Sequence, residues 1–106
     1  MLDMYAEDAT LDVSAVFSDV APIHGHHDML RYWISLRETW KGLRLDPVEV
    51  FDLSGDRFAV DTRLWTKGRS SGAELDQRYV FVYTLRADEK VVLAELVPNL
   101  EAAKSA

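Results

Sequence analysis

Apolar positions along this chain follow two periods. Between His27 and Lys41, Met29, Trp33, Leu36 and Trp40 recur at i, i+4, i+7 and i+11, which is one face of an α-helix. It is the strongest periodic signal in the sequence, and Gly42 reads as its stop. Elsewhere the period is two. Ala9 to Val16 reads as a strand, with Leu11 and Val13 on one face and Thr10 and Asp12 on the other. Met1 to Ala6 before it reads as the last turns of a helix, and Ser18, Asp19 and Pro22 after it as a loop. Asp46 to Leu53 opens a series of strands. Ser54-Gly55-Asp56 is a hairpin turn, Arg57 to about Lys67 a strand, and Gly68 to Gly72 a flexible turn. Leu75 to Leu85 is a further long strand, Ala87 to Lys90 a turn, and Val91 to Val97 the last strand, stopped by Pro98. The Ala-rich tail from Leu100 reads as short helix or disorder. Nothing helical separates the last four strands, so the order predicts an α+β fold: a curled antiparallel sheet whose apolar concave face is covered by the early helices.

Composition narrows the classes of function. The 106 residues show no compositional break and no repeat, which predicts a single domain over residues 1–106. No apolar run approaches the ~20 residues of a bilayer span, so no membrane partner is expected. A net charge of -6 without clustered Lys or Arg argues against nucleic acid. The absence of cysteine removes disulfides, thiolate metal sites and thiol nucleophiles together. With no signal-peptide pattern at the start, it fits a cytoplasmic location.

Three segments carry a resemblance to a known family. They are Met4-Tyr5-Ala6-Glu7-Asp8-Ala9-Thr10-Leu11-Asp12, Pro22-Ile23-His24-Gly25 at the loop-to-helix junction, and the strand, charged turn and strand from Tyr79 to Val97. Together they resemble the SnoaL-like polyketide cyclases and ketosteroid isomerases of the nuclear transport factor 2-like superfamily, densely over Met4 to Trp33 and collinearly to Val97. The resemblance implies a cystatin-like cone holding an apolar pocket. Family members normally begin with a further helix upstream of the point where this chain starts, so the first family helix is expected to be missing. One wall of the cone would then stay open unless a partner subunit or an upstream segment closes it.

Isomerase chemistry uses a carboxylate base and two acid donors, a Tyr and a protonated Asp, that stabilise a dienolate. By the resemblance, the base position falls on Val13, one residue past Asp12, and the donor Asp position on Phe81. The donor Tyr belongs to the missing helix. Tyr5 matches the tyrosine of the family's Met-Tyr-Ala motif near the pocket, and a second family tyrosine is replaced by Trp33. Isomerisation by the family mechanism is therefore not expected, because neither Val13 nor Phe81 can exchange a proton.

Gln77, Tyr79, Phe81 and Tyr83 share one strand face. The resemblance puts that face on the concave side with Tyr5, Leu11, Val13, Met29, Trp33, Ala94 and Leu96, where the side chains line a site for a small apolar molecule or simply fill a core. For an enzyme, two sets of catalytic residues are available. Asp12 would serve as a base if the strand bulged, giving a cyclase, isomerase or lyase. Asp61 and Arg63 with Asp76 resemble the Asp-Arg-Asp set of limonene-type epoxide hydrolases. That set requires them to face the pocket, whereas Phe58, Val60 and Leu64 are expected inward, leaving Asp61, Arg63, Asp76 and Arg78 as an exposed charged ladder.

His24, His26 and His27 with Asp28 are metal-ligand types, but neighbouring residues at a helix start diverge and no fourth ligand is evident, so no metal or cofactor is expected. There is no Gly-x-Ser-x-Gly nucleophile motif and no phosphate-binding glycine loop. Trp65, Val80 and Val82 form an apolar patch on the presumed convex face, which suggests a homodimer contact; dimerisation through that face is also what the resemblance implies. The expected function is binding of a small apolar ligand without isomerase catalysis, against the alternatives of an enzyme using the carboxylates above or a non-catalytic protein-interaction module.

Overall fold

A computed structural model describes residues 2–69 and 72–105. A 3-10 turn over Leu2–Met4 leads into β1 (Tyr5–Asp12), then β2 (Ile23–His24), α1 (Gly25–Thr39), β3 (Trp40–Asp52), β4 (Arg57–Gly68), β5 (Glu74–Leu85), β6 (Val91–Val97) and α2 (Leu100–Ser105). The six strands form one sheet in the order β2-β1-β6-β5-β4-β3. The long strands β3 to β6 follow one another as an antiparallel meander, because each is joined to the next by a short turn. β1 runs parallel to β6, so the sheet is mixed and not purely antiparallel as the sequence reading had it. A parallel pair needs a long crossover, and everything from Val13 to Lys90 supplies it.

The first segment also departs from expectation. Tyr5 and Ala6 belong to a strand and not to the end of a helix; Met1, where that helix was to begin, lies outside the described residues, as do Ser70 and Ser71 of the turn after β4. Tyr5 and Ala6 are buried side by side, Glu7 and Asp8 exposed side by side, and the register against β6 slips between Tyr5 and Thr10. A bulge of this kind adds residues to one strand and breaks the period of two, which is why alternation from Ala9 alone was visible in the sequence.

α1 begins at Gly25, whose φ of 83° lies in the left-handed region that glycine adopts without strain. The helix ends at Thr39, and Trp40 is already extended at φ -112° and ψ 130°. Gly42 therefore does not stop the helix. It sits in β3 with the Trp65 ring against it, and a Cβ there would lie 2.6 Å from that ring. Close packing, and not helix termination, accounts for the glycine.

Two apolar clusters lie on opposite faces of the sheet. On the concave face Met29 is fully buried among Tyr5, Leu11, Val13, Ala94 and Leu96. Burial of one such side chain contributes about 2 kcal/mol and holds α1 on the sheet. On the convex face α2 lays Ala103 over Ala59, Val80, Val82 and Val97. This corrects the expected dimer patch. Val80 and Val82 are covered by their own chain's α2, and of the three residues only Trp65 keeps partial exposure.

Candidate ligand-binding face

The face is set by strand parity. β4 and β5 pair Phe58 with Tyr83, Val60 with Phe81, Thr62 with Tyr79 and Leu64 with Gln77, and directly opposed residues share a face. β6 adds Ala94 opposite Tyr83 and Leu96 opposite Phe81, and β1 adds Leu11 opposite Ala94. β3 adds Leu43, Leu45 and Val50, opposite Thr66, Leu64 and Val60. Phe81 and Tyr83 pack with Met29 and Trp33 of α1, so this is the helix-bearing concave side.

Aromatic rings dominate it. Tyr83 stacks between Phe58, at 5.1 Å between centroids, and Phe81, at 5.8 Å. Tyr79 meets Phe17 at 6.3 Å, and Tyr5 meets Trp33 at 6.2 Å in tilted contacts. Such pairs each contribute about 1 kcal/mol beyond area burial. Phe17 belongs to the turn after β1, held by the N–H groups of Val16 and Phe17 donating to the Val13 carbonyl. Phe58, Val60, Phe81 and Tyr83 remain half-buried, while Leu45 and Val50 beside them are exposed. The concave face is thus closed over β1, β6 and Thr62, Leu64 and Thr66 of β4, and open as an apolar strip over Phe58 and Val60 of β4 and over β3.

Its polar content is small. Burial pushes the neighbouring phenols of Tyr5 and Tyr83 above their ordinary pKa. The Tyr79 hydroxyl donates to Gln77 Oε1 at 2.7 Å, and Gln77 itself is exposed at the rim. Thr62 and Thr66 are buried; Thr62 Oγ1 donates to the Val60 carbonyl, and Thr66 Oγ1 has no partner. The positions on this face from Leu43 to Val50, Phe58 to Thr66, Leu75 to Tyr83, Ala94 to Leu96 and at Leu11 carry no charged side chain; Asp52, opposite Phe58 at the end of β3, is the acidic residue at its margin.

The structure places the proposed catalytic residues elsewhere. Val13 is buried in the concave cluster. Asp12 points to the other side, where its carboxylate accepts from Ser14 Oγ at 2.6 Å and from the Ser14 N–H at 2.9 Å; these bonds hold its pKa below the usual carboxylate value. Asp61 and Arg63 lie on the convex face, opposite Val80 and Arg78. Arg78 and Arg63 are directly opposed, and each is neutralised diagonally, Arg78 Nε to Asp61 at 3.1 Å and Arg63 Nε to Asp76 at 2.8 Å. The arginines hold both carboxyls below their ordinary values. A carboxylate acting as general acid or base at neutral pH needs the opposite shift.

The histidines have structural partners. His26 donates from Nε2 to the Tyr5 carbonyl at 2.9 Å, tying the start of α1 to β1, and His24 Nδ1 shares a hydrogen bond with Thr10 Oγ1 at 2.9 Å. Two surface clefts lie outside the concave strip. One, of about 650 Å³, is lined by Tyr5, His26, Arg86, Asp88 and Lys90; the other, of about 500 Å³, lies between Pro22-Ile23 and the Arg31, Tyr32 and Ser35 flank of α1. Sequence reading missed Leu43, Leu45, Val50 and Phe17 as members of the concave face. Leu43-Arg44-Leu45-Asp46 alternates strictly and would have extended β3 toward the helix.

A curved sheet wrapped on one helix, with an aromatic and largely apolar inner face, defines a nuclear transport factor 2-like α+β cone. The SnoaL-like domain family matches residues 1–94, and the chain belongs to that family. No curated protein sequence matches. Among solved structures, TerC co-crystallised with polyporic acid is similar with a TM-score of 0.78 at 20% identity over 95% of this chain and 78% of that one. A nuclear transport factor 2-like protein from Burkholderia thailandensis has a TM-score of 0.82 at 20% identity, covering 97% and 81%. A protein of ketosteroid isomerase-like fold from Catenulispora acidiphila, in complex with trimethylamine, has a TM-score of 0.78 at 11% identity, covering 97% and 78%. At these identities the likeness is one of fold. Among the described residues no helix is long and apolar enough to cross a membrane.

Proposed function

We propose that this SnoaL-like protein, acting as one cytoplasmic domain over residues 1–106, binds a small, uncharged, planar apolar molecule on the concave face, without isomerase-type proton transfer. The observation that carries the reading is the inventory of that face. In a chain with 18 acidic and 12 basic residues, the face holds no basic residue, and its one acidic residue is Asp52 at the end of β3. An anionic ligand would be desolvated there with no positive counter-charge to offset the cost. A flat ring would instead extend the Phe58, Tyr83 and Phe81 stack, beside Val60, Leu45 and Val50. Polyporic acid on TerC and trimethylamine on the C. acidiphila protein are precedents for small molecules on this fold.

The enzyme alternatives draw less support. Val13 and Phe81, at the positions the resemblance gives to the base and the donor, cannot take or give a proton, and Asp12, Asp61 and Arg63 lie off the face. The test is calorimetric titration with naphthol and with naphthoate, one ring system in neutral and anionic form. Naphthol is expected to bind at least about tenfold more tightly, and Val60→Trp, which fills the strip, to abolish its binding while thermal melting confirms the fold. Equal affinity for the two forms, or binding untouched by Val60→Trp, would remove the reading.

A further inference from the structure

The sheet has two edges, and they differ. β2 offers a partner two residues, whereas β3 lies open along 13. Open edge strands ordinarily carry devices against pairing, and β3 has Pro47 and bulges at Lys41 and Val48. It also carries what such devices normally keep away from an edge. Leu43, Leu45, Val48 and Val50 are 36%, 50%, 51% and 63% exposed, four of the seven large apolar side chains exposed among the described residues. Charge sorts by half along the strand, with Lys41 and Arg44 before Pro47 and Glu49 and Asp52 after it. Asp46, near the centre, is already paired with Arg44 at 3.1 Å. Lys41, Glu49 and Asp52 make no ion pair among the described residues.

We propose that β3 pairs antiparallel with β3 of a second copy about a twofold axis at Asp46-Pro47, joining two sheets edge to edge. Leu43 then lies opposite the partner's Val50, Leu45 opposite the partner's Val48, Arg44 opposite the partner's Glu49 and Lys41 opposite the partner's Asp52. Symmetry makes each contact twice.

The bulge makes this register possible. In an unbroken strand Leu43 and Val50, an odd number of residues apart, point to opposite faces and cannot oppose each other in a ladder. The extra residue at Val48 reverses the phase of the second half. Leu43 pairs with Thr66 and Val50 with Val60, which puts both on the concave face; Arg44 pairs with Trp65 and Glu49 with Asp61, which puts both on the convex face. The Leu43–Val50 pairs therefore gather on the concave side of the joined sheet and the Arg44–Glu49 pairs on the convex side, while Asp52, opposite Phe58, meets Lys41 at the concave margin. Pro47 cannot donate to β4, and the phase that leaves its nitrogen at the open edge turns the backbone groups of Leu43 and Val50 outward with it. The missing N–H falls beside the axis, where Asp46 and Pro47 also take opposite faces, so the new ladder is interrupted at the centre and regular on either side of it. Sliding the partner by two residues opposes Arg44 to Pro47 or to Phe51 and loses the ion pairs, so the charges select one register.

The test is native mass spectrometry and light scattering of the full chain over a wide range of protein concentration. The wild-type chain is expected to dimerise. Arg44→Glu and Glu49→Arg each set like charges opposite one another at two symmetric sites and are expected to weaken the dimer by about tenfold or more. The double variant Arg44→Glu with Glu49→Arg exchanges the charges and is expected to restore it. Amide exchange should show Leu43 and Val50 protected in the dimer and released in either single variant. Melting curves separate assembly from folding, and should one single variant fail to fold, the other against the double variant carries the comparison. A wild-type chain monomeric at every concentration, a dimer indifferent to both reversals, or a double variant no better than the singles would each overturn the proposal.

Discussion

The phenols of Tyr83 and Tyr5 interact across the intervening β6, joining β5 to β1. Ala94, fully buried opposite Tyr83, leaves room for the two side chains to approach. Tyr83→Phe removes one phenol of the pair and is expected to cost about 1 kcal/mol in stability, read by denaturant unfolding. It should also raise the Tyr5 pKa further, because Tyr83 lowers it against the upward pull of burial. Tyr5, Tyr32 and Tyr83 are all held above the ordinary phenol value of 10.0. Their folded pKa values exceed the unfolded one, so their contribution is fully present below about pH 10 and is lost as the pH rises beyond it. An alkaline absorbance titration should find Tyr5, Tyr32 and Tyr83 resisting ionisation until the fold gives way.

The acidic limb runs the other way. Asp12, Asp61 and Asp76 have pKa values below 3.8, through Ser14, Arg78 and Arg63 respectively, and Asp88 is pulled down to about 2 by Arg86 and the Lys90 N–H. Folded values below the unfolded one mean stability present above about pH 4 and lost as the pH falls toward about 2. Melting temperature should be flat above that window and decline inside it. Asp88→Asn should flatten the lowest part of the decline, and added salt should shrink it, since the pairs are exposed.

The helix and the last strands were legible because their apolar residues keep a single period. Met29, Trp33 and Leu36 mark α1, and β6 has the predicted bounds Val91–Val97. What escaped was structure that breaks a period. Trp40 continues the helical spacing although it begins β3, so the pattern carried the helix past its end. Tyr5 and Ala6 are consecutive buried residues on a bulged strand, which no alternation reveals. Parity sorted the concave from the convex residues on β4 and β5, since one register covers the whole pair without a slip. It could not show that Val80 and Val82 lie under α2, because the tail has few large apolar residues beyond Leu100 to announce a packed helix.

Glu89 tests the turn between β5 and β6. Its φ of 65° lies in the left-handed region, where the Glu89 N–H donates to the Arg86 carbonyl at 2.9 Å and the Arg86 N–H to the Lys90 carbonyl at 2.8 Å. A side chain beyond Cβ is disfavoured there and a β-branched one more so. Glu89→Gly is expected to stabilise by about 0.5 kcal/mol, the relief of strain exceeding the added freedom of the unfolded chain. Glu89→Val should cost about 1 kcal/mol or more. Thermal unfolding of the three proteins, ordered Gly above Glu above Val, checks the turn.

Thr62 and Thr66 supply a matched pair on one face of β4. Both are buried, to 4% and 3% exposure, and both are β-branched in a strand that favours such residues. Thr62 Oγ1 donates to the Val60 carbonyl at 3.1 Å, whereas Thr66 Oγ1 is buried without a partner. A hydroxyl removed from water and left unbonded costs about 1–3 kcal/mol, while a bonded one returns a net of about 1. Replacement by the near-isosteric valine should therefore act with opposite sign at the two sites: Thr66→Val stabilising by about 1 kcal/mol, Thr62→Val neutral to destabilising by about 1. Denaturant unfolding at a common m-value distinguishes them, and a destabilised Thr66→Val would mean that the Thr66 hydroxyl is bonded in solution.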